Sequence, residues 1–210
     1  MITYKMHFIR TGKTNSGGGK RFVGRLDLPL CEEGEQELRD MRGKFLYPRA
    51  EMVFTSPLAR CVKTAEILYP DIYMSEAPGL ADMDLGEFAG KSFEELRHEA
   101  AFSAWIGNSI ENPPPGGENI RDFTERIVHA ASGIFFRMMD EKIKDVAVVT
   151  HGGVIMTLLA TIGQPRIPLQ EWACGNGRGY TLIFTPQMWM QNGSAEVFRR
   201  IPTLPGDDEI

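Results

Sequence analysis

The sequence predicts an α/β fold in which a mainly parallel central sheet carries helices on both faces, with an antiparallel strand at its edge. Three observations support this. Segments with strand character take turns with segments of helical period along most of the chain. The stretch 145–150 (DVAVVT) is almost wholly apolar, as expected of a strand covered on both faces. The 210 residues, 42% hydrophobic and 24% charged, have ordinary globular composition and can bury one sizeable core, so a single domain over 1–210 is expected rather than two minimal ones.

Residues 2–10 (ITYKMHFIR) mix alternation with β-branched and aromatic types and run into Gly12, a strand ending in a loop. The loop 11–30 contains Ser16-Gly17-Gly18-Gly19, too flexible for a core element and too short to link domains. From residue 32 to about 46, Leu38, Met41 and Phe45 recur at helical spacing behind an acidic first turn, predicting a surface helix. Residues 51–55 (EMVFT) form a short strand. Ser56-Pro57 then supplies an N-cap and a proline at the first helical position, opening a helix to about residue 68. Residues 71–75 offer a further strand. Segments 92–107 and 119–143 have helical period, separated by Asn112-Pro113-Pro114-Pro115-Gly116-Gly117, which no helix crosses. After the strand 145–150, His151-Gly152-Gly153 leads into an apolar helix over 154–162, and the tail holds strands at 180–185 and about 195–200.

Composition narrows the function. Net charge is −5, so no global positive field draws the chain to nucleic acid or an anionic membrane, and any anion site must be a local patch. No apolar run reaches the roughly 18 residues of a membrane span, and the first residues lack the apolar core of a signal peptide, so a cytoplasmic protein is expected. Cys31, Cys61 and Cys174 are odd in number with no Cys-x-x-Cys pair, which argues against a disulfide framework or a zinc site; no metal or other cofactor is expected. Met138, Met139 and Met156 read as helix packing.

Parallel sheets bind ligands beyond the carboxyl ends of their strands. Three such junctions carry hydrogen-bond donors: Arg10-Thr11-Gly12, Ser56-Pro57-Leu58-Ala59-Arg60 and Thr150-His151-Gly152-Gly153. Arg60 falls in the first turn of its helix, where free N–H groups and the dipole also favour an anion. Two guanidiniums and an imidazole at one sheet edge outline a phosphate pocket, each charge-assisted bond contributing roughly 1.5–3 kcal/mol. From the junctions alone, arginines in structural ion pairs and a helix-capping His151 fit as well.

The ordered motifs shift that balance. Arg10-Thr11-Gly12-Lys13-Thr14, Gly24-Arg25-Leu26-Asp27-Leu28-Pro29-Leu30, the block Ser56, Pro57, Leu58, Arg60, Thr64, Ala65, the stretch Leu80–Gly90, Pro115-Gly116-Gly117-Glu118, and Val148–Gly153 follow one another as in the histidine phosphatase superfamily, also called phosphoglycerate-mutase-like. The chain resembles this family from about residue 4 to 185, and its short insert at about 90–118, expected near the pocket, resembles the small phosphatase branch that includes α-ribazole phosphatase.

The resemblance implies a phosphate-monoester site. In the family a histidine attacks phosphorus, an acid protonates the leaving oxygen, two arginines and a second histidine hold the phosphoryl oxygens, and water cleaves the phosphohistidine. Carried over, Arg10 and Arg60 match the arginines, His151 the second histidine, and Asp82 the acid, although the family acid is usually Glu. The nucleophile position holds Thr11. An alcohol is almost never ionised at neutral pH, so ordinary phosphohistidine turnover is not expected, and Thr11 is left to orient the phosphate or a water. The asparagine expected three residues beyond Thr14 is Gly17, with Asn15 as a nearby substitute. His7, four residues before the junction, lies about 13 Å away along the strand and reads as a sheet histidine. Lys13, Arg21 and Arg25 form a candidate substrate loop, with solvated roles favoured. His98 and His129 read as helix-surface residues, and Phe102 and Trp105 as core near the entrance. The expected ligand is a small phosphorylated metabolite, bound by a monomer or homodimer that engages neither nucleic acid nor membrane, with a phosphatase of low activity and a non-catalytic binding protein as competing outcomes.

Overall fold

The computed structural model describes residues 2–15 and 21–206; the glycine run at 16–19, including Gly17, lies outside them. In chain order the elements are β1 (Tyr4–Arg10), α1 (Glu32–Lys44), β2 (Met52–Thr55), α2 (Ala59–Leu68), β3 (Met74–Glu76), α3 (Phe93–Leu96), α4 (Ala100–Gly107), α5 (Ile120–Glu141), β4 (Asp145–Thr150), α6 (Gly152–Ile162), β5 (Gly163–Gln164), β6 (Gly179–Phe184), α7 (Pro186–Asn192) and β7 (Ala195–Ile201). The strands form one seven-stranded sheet in the order β3-β2-β4-β1-β6-β7-β5. β3, β2, β4 and β1 are mutually parallel; antiparallel pairing is confined to the other side, where β6 runs against both β1 and β7. No helix among the described residues is long and apolar enough to cross a membrane.

Alternation along β1 sorts side chains to two covered faces. Tyr4, Met6 and Phe8 join Val146, Val148, Leu182 and Phe184 under α5 and α6, whose buried Phe123, Ile127, Ala131, Ile134, Val154 and Leu158 recur at helical spacing. Ile9, Val53, Ala147 and Val149 face the opposite way, against Leu38 of α1 and Cys61, Ala65 and Leu68 of α2. β4, central and parallel, is buried from Val146 to Thr150, which explains its unbroken apolar sequence. A satellite cluster of Leu85, Phe88, Leu96 and Phe102 takes in Phe22 and Trp105, pinning the insert to the loop after β1. Phe102 is buried, as expected, while His98 and His129 are exposed, His98 in a turn rather than a helix.

Several expected boundaries move. The segment 92–107 is two short helices, because the chain turns at 97–99 after the capping box of Ser92 and Glu95. α6 starts at Gly152 rather than 154, the third strand at Met74 rather than 71, and α7 and β5 appear where no element was expected. Ser56 does not cap α2, which begins at Ala59 behind Leu58 with no side-chain cap. Its hydroxyl is engaged elsewhere.

Candidate active site

Adjacent parallel strands place the three junctions side by side. Arg10 on β1 pairs with Thr150 on β4, and Thr55 on β2 pairs with Val149. Thr11 N–H donates to Thr150 O at 2.8 Å and Ser56 N–H to Val149 O at 2.9 Å, so Thr11, Ser56 and His151 leave the sheet at one edge. Arg10, Thr11, Lys13, Arg21, Arg60, Asp82 and His151 line a single cavity of about 490 Å³, together with Asn176, a size ordinary for a small-molecule site. Arg25 and Asn15 are not part of its lining.

Arg60 is 3% exposed. Its Nη1 donates to Leu26 O and its Nη2 to Gly24 O, both at 2.7 Å, and its Nε donates to His151 Nδ1 at 3.3 Å. That leaves one N–H on each terminal nitrogen, with Asp82 Oδ2 3.5 Å from Nη2. Gly24, at φ +53, presents its carbonyl to Arg60, a conformation that a side chain would strain. Among the described residues Arg10 is held by its Nη1 donating to Cys174 O at 2.6 Å, and it lies across Gly152, where a Cβ would stand 3.1 Å from its Nε.

His151 is buried, and its tautomer follows from its partners. Because Arg60 Nε–H points at Nδ1, the ring proton sits on Nε2 and is donated to Ser56 Oγ at 2.8 Å. Burial first, then the charges of Arg60 and Arg126, drive the imidazole down to about 3, so it is neutral at pH 7. Ser56, His151 and Asp82 thus stand in the order of a hydrolase triad without its chemistry: Nε2 gives a proton to the serine instead of taking one, and Ser56 is fully buried. Cys61 Sγ, 3.5 Å from Nε2, is also buried, and burial pushes its thiol up to about 12.

Thr11 is in the cavity wall but its hydroxyl is turned into the scaffold. Oγ1 donates to Arg60 O at 3.0 Å and lies 3.3 Å from Thr64 Oγ1, which itself donates to Arg60 O and accepts from Gly12 N–H. Among the described residues its hydrogen-bond partners are carbonyls, another hydroxyl and the Cys61 thiol, which burial keeps protonated, so none of them takes its proton. Asn176 Nδ2 holds the Thr11 carbonyl at 2.8 Å.

Asp82 faces Arg60 and lies 3.7 Å from His151 Nδ1. Burial raises its carboxyl above the usual range, although Arg60 opposes the shift. Its main chain is clamped. Arg126 donates to Gly79 O, Ala81 O and Asp82 O, and its Nε and Nη2 each donate to a Glu118 carboxylate oxygen at 2.8 Å. Arg25 Nε also donates to Asp82 O, with Nη2 on Glu118 at 3.2 Å. Burial works against ionised Glu118, but the Arg126 hydrogen bonds and charge prevail and hold it below the usual carboxylate range. Ser56, Glu118, Arg126 and Asn176 were not identified as site residues from sequence, although Ser56 and Glu118 both stand in family-like blocks; Arg126 and Asn176 gave no signal. Lys13 is exposed at the mouth, and Arg21 is tied to Glu95 and Gly90 O.

The family model for the histidine phosphatase superfamily (branch 1) matches residues 6–193. The chain belongs to the histidine phosphatase superfamily. It is 30% identical over 188 residues to 2-carboxy-D-arabinitol-1-phosphatase of Triticum aestivum, an alignment covering 85% of this chain and 37% of that protein. It is 28% identical over 180 residues to the 2,3-bisphosphoglycerate-dependent phosphoglycerate mutase of Rhizobium etli, covering 78% of this chain and 81% of the mutase. The crystal structure of α-ribazole phosphatase from Shigella flexneri superposes with a TM-score of 0.74 at 20% identity over 95% of this chain and 96% of that one, a likeness of fold.

Proposed function

We propose that the cavity binds the phosphate of a small phosphorylated metabolite and that the protein hydrolyses it slowly at most, without a phosphoenzyme. The observation that carries this is the Thr11 hydroxyl: it stands at the position of the family's nucleophilic histidine and donates a hydrogen bond to Arg60 O, with no proton acceptor stronger than a carbonyl, hydroxyl or protonated thiol bonded to it among the described residues. Arg10, the remaining N–H groups of Arg60 and the Asp82 carboxyl surround the space where a dianion would sit. A bound dianion supplies the counter-charge that burial and Arg60 deny His151. It draws a proton onto Nδ1, which requires Arg60 Nε–H to turn from Nδ1 toward the anion, while Nε2–H stays on Ser56. Asp82, with its raised carboxyl, is suited to protonate a leaving oxygen, so slow direct attack by water is the chemistry left. In a serine hydrolase, loss of the covalent nucleophile costs on the order of 10⁶ in turnover.

The test is hydrolysis of p-nitrophenyl phosphate by wild type, Thr11→His and Asp82→Asn. The reading expects weak wild-type turnover that falls in Asp82→Asn and rises in Thr11→His. Activity confined to Thr11→His favours the second reading, a non-catalytic binding protein. Rapid wild-type turnover with a trapped phosphoenzyme sinks both.

A further inference from the structure

The segment Gly24-Arg25-Leu26-Asp27 stands in one of the ordered motifs, yet the site described above uses only its carbonyls and Arg25. It is a turn, with Leu26 N–H donating to Val23 O at 3.1 Å and Gly24 pressed against Met83 and Leu85. Arg25 ties the turn to the acid side of the cavity, through Asp82 O at 3.1 Å and Glu118 at 3.2 Å. On its other side Asp27 Oδ1 accepts from Ala59 N–H at 2.7 Å, across 32 positions of the chain. The turn is therefore strung between the segment that carries Asp82 and the helix that carries Arg60.

The bond to Ala59 is the cap that α2 lacks from its own sequence. The helix begins at Ala59 behind Leu58, which brings no side-chain acceptor, and Ser56 is engaged with His151. The first N–H groups of a helix find no partner inside it, and a carboxylate there also meets the positive end of the dipole. Asp27 supplies both. The helix end thus already carries an anion of the chain itself, and Ala59 is not among the residues lining the cavity, which leaves the Arg60 guanidinium rather than the helix N-terminus to meet a phosphate.

Arg60 follows Ala59 directly. Its side chain donates to Gly24 O and Leu26 O, both at 2.7 Å, while the main chain just before it is fastened to Asp27 of the same turn. Backbone and guanidinium are so held to one short piece of chain, and the spacing between helix end and turn fixes where the two remaining N–H groups point. We propose that Asp27 is a positioning residue for Arg60, setting that spacing so that the guanidinium presents its free N–H groups to the phosphate. The proposal rests on the phosphate reading above. It has a sign that charge alone does not give: removing a carboxylate beside the residue preceding Arg60 should by Coulomb's law tighten the binding of an anion, whereas loss of positioning weakens it.

Isothermal titration calorimetry with inorganic phosphate on wild type, Asp27→Asn and Asp27→Ala tests it, together with hydrogen exchange of the Arg60 Nε–H followed by NMR in the same proteins without phosphate. Both variants lose the same charge, and only asparagine keeps an acceptor for Ala59 N–H. The expected result is phosphate binding by Asp27→Asn at least as tight as wild type, binding by Asp27→Ala ~3–10-fold weaker than by Asp27→Asn, within the range a lost cap spans, and faster Nε–H exchange in Asp27→Ala alone. Equal affinity in the two variants overturns the proposal, even with a lower melting temperature in Asp27→Ala, because a cap that only stabilises α2 leaves phosphate binding untouched. Tighter binding in both, by the same factor, reduces Asp27 to a nearby charge and overturns it as well. Wild type that binds no phosphate sinks the proposed function instead; the Nε–H exchange then decides on its own whether Asp27 holds Arg60, and unchanged exchange in Asp27→Ala shows that it does not.

Discussion

Replacing Thr11 by valine removes the hydroxyl and little else. The lost contact is a buried donor to Arg60 O at 3.0 Å, with Thr64 Oγ1 at 3.3 Å. Arg60 O keeps its second donor, Thr64 Oγ1 at 2.7 Å, and Thr64 keeps Gly12 N–H, so no buried group is left wholly unpaired. The cost should sit near the low end of a buried hydrogen bond, ~1 kcal/mol, or about 2–4 °C in melting temperature for a chain of this size. Because the hydroxyl faces the scaffold, the stabilisation that phosphate confers on the protein should be unchanged, and so should any slow hydrolysis. Differential scanning calorimetry with and without phosphate, beside a p-nitrophenyl phosphate assay, measures all three. Loss of hydrolysis in Thr11→Val would falsify the scaffold role, because it would mean that the hydroxyl reacts or positions the attacking water.

Acid should destabilise the protein through His7 and His151. Burial holds both low when folded, at about 4 and about 3, so between there and 6.5 the unfolded chain binds more protons and stability falls as pH falls. From pH 7 to 5 the two together cost about 3–4 kcal/mol, partly offset by the raised Asp82 and Asp145 carboxyls, and urea titrations should show His7→Gln losing roughly half of this dependence. Glu118→Ala strands the partly buried Arg126 and frees the exposed Arg25, and should cost ~1–3 kcal/mol and weaken phosphate binding, both visible in denaturation with and without phosphate; Glu118→Gln should lose less. Phe102→Ala empties the satellite core and should cost about 3–4 kcal/mol, with hydrogen exchange rising in residues 88–105 ahead of the main sheet.

The sheet was legible because its signals are local. The apolar run of β4 and the alternation of β1 need no tertiary knowledge, and the junction motifs at Arg10, Arg60 and His151 follow from where parallel strands end. Capping signatures alone do not decide a helix start: α7 was not expected from the sequence although its start carries one. Thr185-Pro186 opens α7 as a hydroxyl cap followed by proline, with Thr185 Oγ1 accepting from Met188 N–H. Ser56-Pro57 has the same sequence signature, but His151 claims the serine, and the helix starts later. Arg126 was hidden for another reason: besides Glu118, its partners are carbonyls of Gly79, Ala81 and Asp82, more than forty positions away, and no spacing rule reports a side chain bonded to a distant main chain. The orientation of the Thr11 hydroxyl was equally unreadable, since its acceptor belongs to the first turn of another element.

A crystal structure with vanadate tests the central claim most directly. The account predicts the anion within hydrogen-bond distance of Arg10, Arg60 and His151 Nδ1, with Thr11 Oγ1 still on Arg60 O and no bond from the protein to vanadium. An empty cavity, or Thr11 Oγ1 joined to the metal, would contradict it.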